Sequence, residues 1–364
     1  MRRRSFLRNS IVGGAAATAA AAGIAAPAIA QGRKQLKLVT SWPKNLPGPG
    51  VGAERIASRI TMMTGGQVEV KVYAAGELVP PLGVFDAVSK GTADIYHSAP
   101  AFFQGKTPAI NFYFNIPFGL TAQELSGWLK YGGGEQLHDE VGARFNLKPF
   151  VAANFGSGMA GWFRKEINGV DDLKGLKFRM PGLGGEMLRR LGAAVVTLPA
   201  GEVLPALQSG AIDGTEWIGP FSDMALGFYK HAKYYYYPGW HEPAPTAELT
   251  FNLDVWKGLT KEQQEVVRVV AEAENDRTHG EANAQNTIAL NKLVSDHGVQ
   301  LKRLPDDVLT ALQKVSGEVL SESVAKDPLA VKIRDSFLAY RKQALVWANV
   351  GDLPFLQYRT AAYS

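Results

Sequence analysis

The side chains best suited to bind a small solute are an arginine, a glutamate and a tryptophan at the ends of two predicted strands. Arg179 lies in a segment, residues 176–180, where apolar and basic residues alternate as in a short strand, and Pro181 ends that strand. Glu216 and Trp217 end the segment AIDGTEW. A planar guanidinium binds a carboxylate through two parallel hydrogen bonds. The pattern therefore predicts a site for an organic acid at the strand ends of an open α/β sheet.

The elements that would position these side chains form a β-α-β-α-β passage over residues 171–217. After a glycine-rich turn the pattern predicts, in order, a helix around Met187–Leu191, a strand at Ala194–Leu198, a helix at Val203–Gln208 and a strand that reaches Trp217. We expect this passage to form one half of a solute-binding cleft.

The beginning of the chain repeats this order. The pattern predicts strands at Gln35–Thr40, Val68–Tyr73 and 93–99, and helices at 51–63 and Leu82–Ser89. Two segments also correspond, AVSKGTADI (87–95) and ALQSGAIDG (206–214). Each runs from a helix end through a glycine to an aspartate that opens a strand. The correspondence predicts two related α/β lobes.

Two long helices are predicted in the last third of the chain. Residues 260–296 have the apolar periodicity of one helix, with Thr260 as its N-cap. A helix of about 35 residues extends about 50 Å, enough to lie across both lobes. A later helix, from Pro328 to about Asn349, has more apolar residues than a tail needs. We expect it to be buried on this chain or on a second copy.

The N-terminal segment predicts export to the periplasm. Residues 3–7 form a twin-arginine signature before an alanine-rich stretch, and residues 28–30 form an A-x-A cleavage site, so residues 1–30 are expected to be a signal peptide. These residues hold four arginines and no acid, so removing them lowers the formal net charge from +5 to +1. Nothing in this balance favours a nucleic acid as partner. With no cysteine, the chain has no disulfide or thiolate chemistry.

Two short motifs suggest other chemistry without supporting it. GSGMAG (156–161) matches GxGxxG, but a dinucleotide site needs a helix directly after the glycines, and WFRKEI has the pattern of a strand. His241-Glu242 begins no HExxH motif, and the six histidines show no metal-binding spacing. We expect a close-approach turn at the glycines, and neither a redox cofactor nor a zinc site.

An ordered set of segments resembles the extracytoplasmic solute-binding proteins of tripartite ATP-independent periplasmic (TRAP) transporters. The segments are KLVTSWP, GELVPPLGVFDAVSKGTADI, GWFRKEI, DLKGLKFRMPG, LQSGAIDGTEWIGP and YYYYPGWHEP. They are most similar to the branch that binds 2-oxo acids, lactate and related carboxylates with a metal ion. The resemblance implies a two-lobed, periplasmic-binding-protein-like α/β fold with the ligand cleft between the lobes and a long bridging helix. It further implies a homodimer that swaps its C-terminal helix, and delivery of the ligand to a sodium-driven membrane permease.

The resemblance also implies roles for residues of the site. Arg179 would bind the ligand carboxylate, and Tyr96, Asn154 and Trp217 would contact the ligand. A sodium or calcium ion would be held by Glu216, the backbone carbonyl of Trp217 and Glu242.

Gly158 departs from this pattern. The branch usually has a glutamine at this position, before the Met-x-Gly-Trp element, that contacts both ligand and cation. Glycine leaves room for a bulkier acid and leaves the need for a metal ion open. A cleft that holds Arg179, Glu216 and a monocarboxylate still has excess negative charge, which a cation would neutralise.

These observations predict a periplasmic receptor for a small organic acid, such as a 2-oxo acid or lactate. The expected boundaries are 31–153 for lobe I, completed by about 242–260; 154–241 for lobe II, completed by about 290–325; 260–296 for the bridging helix; and 326–364 for the C-terminal helix and tail. Two alternatives stay open: a periplasmic oxidoreductase or hydrolase exported in the folded state, and a receptor for a larger or neutral solute.

Overall fold

The computed structural model describes residues 33–359, and its first elements follow the predicted β-α-β-α-β order. They are β1 (Lys34–Thr40), α1 (Pro49–Met63), β2 (Val68–Tyr73), α2 (Val84–Ser89) and β3 (Ile95–Ser98). The predicted signal peptide at residues 1–30 and residues 360–364 of the predicted tail lie outside the described residues.

The middle of the chain adds two helices and then repeats the opening order. Pro181 has no N–H group to extend a strand, and the strand that carries Arg179 ends there as predicted. The elements are α3 (Ala122–Tyr131), α4 (Gly134–Ala143), β4 (Leu147–Asn154), β5 (Gly161–Phe163), β6 (Lys177–Arg179), α5 (Gly182–Arg190), β7 (Ala194–Val196), α6 (Ala200–Ser209), β8 (Gly214–Thr215), α7 (Pro220–Leu226) and β9 (Tyr234–Tyr237).

The rest of the chain returns to the first sheet and ends in long helices. Its elements are β10 (Thr246–Asn252), α8 (Leu253–Lys257), α9 (Lys261–Ser295), β11 (Gln300–Arg303), α10 (Asp306–Val324), α11 (Pro328–Val350) and α12 (Asp352–Arg359). The long helices predicted at 260–296 and from Pro328 are thus confirmed.

Within residues 33–359 the strands form two sheets, and five strands of the second sheet repeat the topology of the first. The first has the order β2-β1-β3-β10-β4, and the second has the order β11-β9-β5-β8-β6-β7. In the first sheet β1 is parallel to β2 and β3, while β10 is antiparallel to β3 and β4. In the second, β6 is parallel to β7 and β8, while β5 is antiparallel to β8 and β9. The strand order and strand directions of the first sheet therefore recur in the second.

The two corresponding sequence segments make the same turn in both sheets. Gly91 and Gly210 have φ angles of 76° and 77°, which glycine adopts at little cost. Asp94 then accepts a hydrogen bond of 2.7 Å from a backbone N–H of β1, and Asp213 accepts one of 3.1 Å from β6. The sequence repeat therefore corresponds to a repeated structural unit.

Helix α9 packs against both sheets. Thr260 and Gln263 form a capping box at its start, which confirms the predicted N-cap. In its first half, Val267 is buried in the apolar cluster of the first sheet. Near its end, Leu293 is buried in a cluster with Trp162 of β5. One helix of 35 residues therefore contacts both halves of the protein.

Helix α11 is buried mainly over its first half. Asp327 caps its start, and Ile333 and Phe337 pack into the largest apolar cluster. Further along, Trp347 and Val350 are 68% and 71% exposed, and exposed apolar side chains continue through α12. Between residues 33 and 359, no helix combines the length and the apolar character that crossing a membrane requires.

Candidate functional site

A small pocket is lined by residues of both sheets. The loops of the first sheet contribute Trp42, Ala99, Phe102, Phe114 and Phe155, the second sheet contributes Arg179, Pro181, Glu216, Trp217 and Ile218, and the crossing between β9 and β10 contributes Glu242, Pro245 and Thr246. The cavity has a volume of about 20 Å³, room for about one water molecule. Its lining combines aromatic rings with buried charges.

Arg179 brings a positive charge into this pocket while its residue is only 1% exposed. Its Nε donates a hydrogen bond to the carbonyl of Leu198 (3.1 Å), and its Nη1 donates to the carbonyl (3.1 Å) and to the carboxylate of Glu216. Burial lowers the pKa of the guanidinium, and the carboxylates of Glu216 and Glu242 oppose that shift. The Nη2 atom has no hydrogen-bond partner among the described residues, so one amino group is free for a ligand.

Aromatic rings surround the guanidinium. The ring centre of Trp217 lies 4.8 Å from Cζ of Arg179, and that of Phe102 lies 5.9 Å away, within the range of cation–π attraction. Trp42 meets Trp217 edge to face, with ring centres 6.2 Å apart. Because these rings exclude water, charge interactions inside the pocket are stronger than at the surface.

A buried histidine holds Trp42 in place. The indole Nε1 of Trp42 donates a hydrogen bond of 2.8 Å to Nδ1 of His97 on β3. Burial, with a smaller effect from the charge of Arg55, lowers the pKa of His97 to about 3. His97 is therefore neutral at ordinary pH and can accept the indole hydrogen bond.

Two crossing segments, residues 154–161 and 237–246, meet beside the pocket. The backbone N–H of Gly158 donates to the carbonyl of Glu242 at 3.3 Å. A Cβ on Gly239 would collide with the carbonyl group of Gly158, so the close approach requires glycine. This contact fixes the backbone that carries Glu242 next to the second sheet.

The segment 237–246 also brings His241 and Glu242 to Glu216. The three side chains are buried, and their candidate ligand atoms lie within 4.8 Å of one another. Nε2 of His241 is 3.5 Å from Oε2 of Glu216 and 3.9 Å from Oε2 of Glu242. Burial and the nearby charge of Glu216 raise the pKa of the Glu242 carboxyl well above its usual value. Oε2 of Glu216 and both ring nitrogens of His241 lack hydrogen-bond partners among the described residues, a donor set that fits a cation.

The sequence pattern did not identify His241 as a ligand. Metal-binding spacing is recognised when ligands share one helix or one short motif. Here one carboxylate follows β8, while the histidine and the other carboxylate come from a loop between two strands. Only the adjacent candidate Glu242 in WHEP pointed towards this loop.

Asp223 is a second buried acid that the sequence did not reveal. Its carboxylate accepts hydrogen bonds from Trp162 Nε1 (2.9 Å), from the hydroxyl of Tyr235 (2.8 Å) and from the backbone N–H of Ile218 (3.2 Å). Burial raises its pKa to about 6 despite these donors. Because its bonds are internal, Asp223 fixes the backbone after Trp217 and is not a candidate ligand.

Two predicted ligand contacts, Tyr96 and Asn154, do not line this pocket. Tyr96 is buried within the first sheet, where its hydroxyl donates to the carboxylate of Glu248. Asn154 accepts a hydrogen bond of 2.9 Å from the N–H of Gly156 and lies on a separate groove. Aromatic side chains from loops of the first sheet line the pocket on this side.

The glycine segment around Gly158 makes the predicted close-approach turn, and β5 rather than a helix follows it. The space expected beside Gly158 is filled by backbone. A Cβ at this position would lie 3.0 Å from the carbonyl oxygen of Ile218 and 3.3 Å from that of Glu242. In this arrangement the glycine therefore brings two segments together and leaves no room for a bulkier acid.

A larger groove of about 660 Å³ lies between α3, α4, β4 and α9. Its charged side chains include a pair between Lys130 and Glu272 (3.4 Å) and another between Lys148 and Asp139. Surface charges that already pair with each other contribute little to the binding of a ligand. The small pocket remains the candidate site because it gathers buried polar atoms without partners.

Comparisons with known proteins agree with this architecture. The model of the bacterial extracellular solute-binding protein family 7, DctP, matches residues 40–327. A monocarboxylate 2-oxoacid-binding periplasmic protein of Nostoc sp. is 41% identical over 326 residues, which cover 90% of this chain and 89% of that protein.

Solved structures of TRAP solute-binding proteins have the same fold. One from Bordetella bronchiseptica, a mixed-occupancy dimer with calcium and picolinate in one active site, is 34% identical, with a TM-score of 0.88 and coverage of 90% of this chain and 98% of its own. One from Pseudoalteromonas atlantica, with bound sodium and pyruvate, is 34% identical, with a TM-score of 0.87 and coverage of 90% and 99%. The chain therefore belongs to the DctP family of periplasmic solute-binding proteins of TRAP transporters and is a binding protein rather than an enzyme.

Proposed function

We propose that the protein captures a small 2-oxo monocarboxylate such as pyruvate, together with a cation, and delivers it to a TRAP permease. The relatives support this ligand class. The Nostoc protein binds monocarboxylate 2-oxo acids, and the two solved structures hold pyruvate with sodium and picolinate with calcium. Each of these ligands carries one carboxylate, which matches a pocket with a buried guanidinium.

The observation that carries the proposal is the incompletely bonded Arg179. Its Nη2 lacks a partner although the residue is buried, and a buried donor without an acceptor is unfavourable. A ligand carboxylate that accepts from Nη2 would remove this cost. Trp217 and the aromatic rings of Trp42 and Phe102 would then contact the apolar part of the acid.

Charge balance supports a cation at the same site. With both glutamates ionised, Arg179 supplies one positive charge against Glu216, Glu242 and the ligand carboxylate, which leaves two negative charges uncompensated. Uncompensated charges in a dry site cost several kcal/mol each. A bound sodium or calcium ion would supply positive charge. Oxygen atoms of both glutamates, the Trp217 carbonyl and the ligand would coordinate it. The proposal includes no redox cofactor.

Ligand entry would require two lobes to separate. We assign residues 31–153 with about 242–260 to lobe I, and 154–241 with about 290–325 to lobe II, so that each lobe contains one sheet. Helix α9 contacts both sheets and would bridge the lobes. A cavity of about 20 Å³ does not admit a molecule of the size of pyruvate, so binding would begin from a more open form and end in closure.

Assembly and export complete the proposal. The exposed apolar side chains of α11 and α12 would be covered in a homodimer that exchanges its C-terminal helices. The Bordetella bronchiseptica protein was crystallised as a dimer, which supports this arrangement. Export by the twin-arginine route rests on residues 3–7, and recognition by the permease rests on membership of the family.

A thermal-shift screen tests the ligand class. Protein that has been unfolded, freed of ligand and refolded is mixed with pyruvate, lactate, a dicarboxylate, a sugar acid or a neutral polyol, each with sodium, with calcium and with a chelator. Ligand at about 100 times its dissociation constant adds about 2.7 kcal/mol to stability. We expect pyruvate to raise the melting temperature and to require a cation.

The same screen tests the alternative of a receptor for a larger or neutral solute. A shift with only larger or neutral solutes would replace the acid by another ligand class. An affinity in the micromolar range, about −8 kcal/mol, suits capture followed by release to a permease.

A further inference from the structure

We propose that His241 is a third protein ligand of the cation site, and that this site binds a transition-series divalent cation such as Zn2+ more tightly than Ca2+ or Na+. The proposal builds on the proposed function, because the same cation would also contact the bound 2-oxo acid. It assigns to this chain a nitrogen ligand that a sodium or calcium site does not need.

The geometry places three donor groups around one point. Nε2 of His241 is 3.5 Å from Oε2 of Glu216 and 3.9 Å from Oε2 of Glu242. A zinc-type cation binds imidazole nitrogen and carboxylate oxygen at about 2.0–2.2 Å, so its ligand atoms lie about 3 Å apart. The three side chains would need to move together by less than about 1 Å to share such a cation.

The bonding of each side chain leaves an atom for this role. One carboxylate oxygen of Glu216 accepts from Arg179, while Oε2 has no hydrogen-bond partner among the described residues. His241 is 3% exposed, and neither of its ring nitrogens has such a partner. A buried imidazole without partners is unfavourable, and coordination to a cation would satisfy one nitrogen.

The neighbouring helix is shaped to hold the imidazole. A Cβ on Gly184 of α5 would lie 2.8 Å from Cβ of His241 and 2.8 Å from the sulfur of Met180. Glycine at this position therefore lets the His241 side chain pack directly against the start of α5. The ring is confined next to the two carboxylates rather than free to turn towards solvent.

The charges favour a divalent cation. Arg179 balances one of the three negative charges of Glu216, Glu242 and the ligand. A divalent cation balances the other two, whereas sodium balances only one. An imidazolium form of His241 would also supply only one positive charge.

The donor types distinguish between divalent cations. Calcium binds six to eight oxygen atoms, so a nitrogen in its shell is a poor substitute. Imidazole suits zinc, copper, iron and nickel, and zinc sites commonly combine histidine with glutamate. The carboxylate and oxo oxygens of a 2-oxo acid could complete the coordination of such a cation.

The test compares cations on metal-free protein. Zn2+, Ca2+ and Na+ are titrated by calorimetry with and without pyruvate, and Co2+ serves as a probe whose visible absorption reports its coordination. We expect Zn2+ to bind more than about 10-fold more tightly than Ca2+, since ligand type governs selectivity at such sites. We also expect a Co2+ spectrum that differs from that of the aqueous ion.

His241→Gln is the informative variant, because an amide oxygen suits calcium and preserves the size of the side chain. Zn2+ affinity should fall by more than about 10-fold, the least expected from losing even an outer-shell partner, while Ca2+ affinity should not fall. His297→Gln, at an exposed position beyond α9, is the matched control for surface binding of Zn2+ and should change neither affinity.

The outcomes separate this inference from the proposed function. Tighter binding of Ca2+ than of Zn2+, or unchanged Zn2+ affinity in His241→Gln, would show that His241 is not a ligand of the cation. If pyruvate still binds with Ca2+ in that case, the proposed receptor function stands. Binding of Zn2+ through His241 without binding of pyruvate under any condition would overturn the ligand class and retain the cation site. If His241→Gln does not fold, the comparison of cations and the Co2+ spectrum on the unaltered protein decide.

Discussion

Three hydrogen bonds hold the Arg179 guanidinium, one from Nε to Leu198 and two from Nη1 to Glu216. Fixing the group in this way removes most of the rotamer entropy that a flexible side chain would lose on binding. Nη2 and the ring face of Trp217 then define where a carboxylate and its apolar substituent can lie. The pocket is selective because few of its polar atoms lack a protein partner and can bind a ligand.

Arg179→Lys should weaken pyruvate binding by about 10- to 150-fold, because a hydrogen bond to a charged group contributes about 1.5–3 kcal/mol. Lysine keeps the charge opposite Glu216 but lacks the planar fork. Calorimetry on the cation-loaded protein measures the effect. Arg189→Lys, at an exposed position on α5, is the matched control and should bind normally. Equal affinities of the two variants would remove Arg179 from the ligand site.

His97 should make stability depend on pH. Its pKa is about 3 in the folded protein and about 6.5 in the unfolded chain, so between these values the unfolded chain binds more protons. The stability linked to neutral His97 is therefore complete above about pH 6.5 and is lost as the pH falls towards 3. One proton accounts for a slope of about 1.4 kcal/mol per pH unit.

His97→Gln offers an amide oxygen as the acceptor for Trp42 without this titration. Urea unfolding of both proteins between pH 4 and pH 8 should show a shallower loss of stability on acidification in the variant. Parallel curves would mean that His97 does not titrate as its burial implies.

The sequence could predict some of these side chains and not others. Arg179, Glu216 and Trp217 were predicted because each lies at or directly after the end of a short strand that is visible in the pattern. Tyr96 was predicted from its strand-end position, but successive strand residues point to opposite faces, and its neighbour His97 is the residue that contacts Trp42. His241 lies in a loop, and no periodicity reveals which way a loop side chain points.

Among the elements, the crossing segments at 154–161 and 237–246 do most to assemble the pocket. They connect strands of different sheets, and their contact through Gly158 and Gly239 holds Glu242 against the end of β8. Both segments are rich in glycine or proline and have no regular structure of their own. Their close approach depends on the absence of side chains.

Gly239→Ala should therefore damage both stability and ligand binding. The added methyl group collides with backbone, and overpacking of this kind costs about 1–3 kcal/mol. Displacement of Glu242 should also weaken cation binding, which calorimetry on the folded fraction measures. Gly280→Ala is the control, since no atom lies within 4 Å of the added Cβ on α9 and alanine favours helix by about 0.5–1 kcal/mol. A Gly239→Ala protein as stable as the original would contradict this role of the crossing.

Regular elements were easier to predict than the segments between them. The sequence predicted α9 and its N-cap Thr260 because a long apolar period and a capping residue are local signals. It predicted that residues of about 242–260 complete the first lobe, and β10 pairs with β3 and β4. Helix α7 was not predicted, because its seven residues are too few to show a period.

For the molecule as a whole, two sheets of shared topology are joined by two crossings and by α9. The repeat in the sequence predicted this relation because the glycine and aspartate of each junction recur at matching positions. The sequence could not predict how closely the two halves approach, since that distance depends on contacts between loops. The cavity volume of about 20 Å³ corresponds to a close approach of the two halves.

The C-terminal helices should mediate a dimer. The double variant Val346→Ser and Trp347→Ser removes two apolar side chains that are each 68% exposed. By light scattering, we expect the original protein to have twice the mass of one chain and the variant to be monomeric. Met62→Ser, which alters a side chain 70% exposed on α1, is the control and should remain dimeric. A monomeric original protein would contradict the swapped-helix proposal.

A crystal structure of the protein with pyruvate and a cation would show directly whether Arg179 binds the acid. We predict the pyruvate carboxylate on Nη2 of Arg179, the methyl group against Trp217, and the cation between the ligand and Glu216. Pyruvate at another place, or within the pocket but without contact to Arg179, would contradict the central claim that this buried guanidinium recognises the acid.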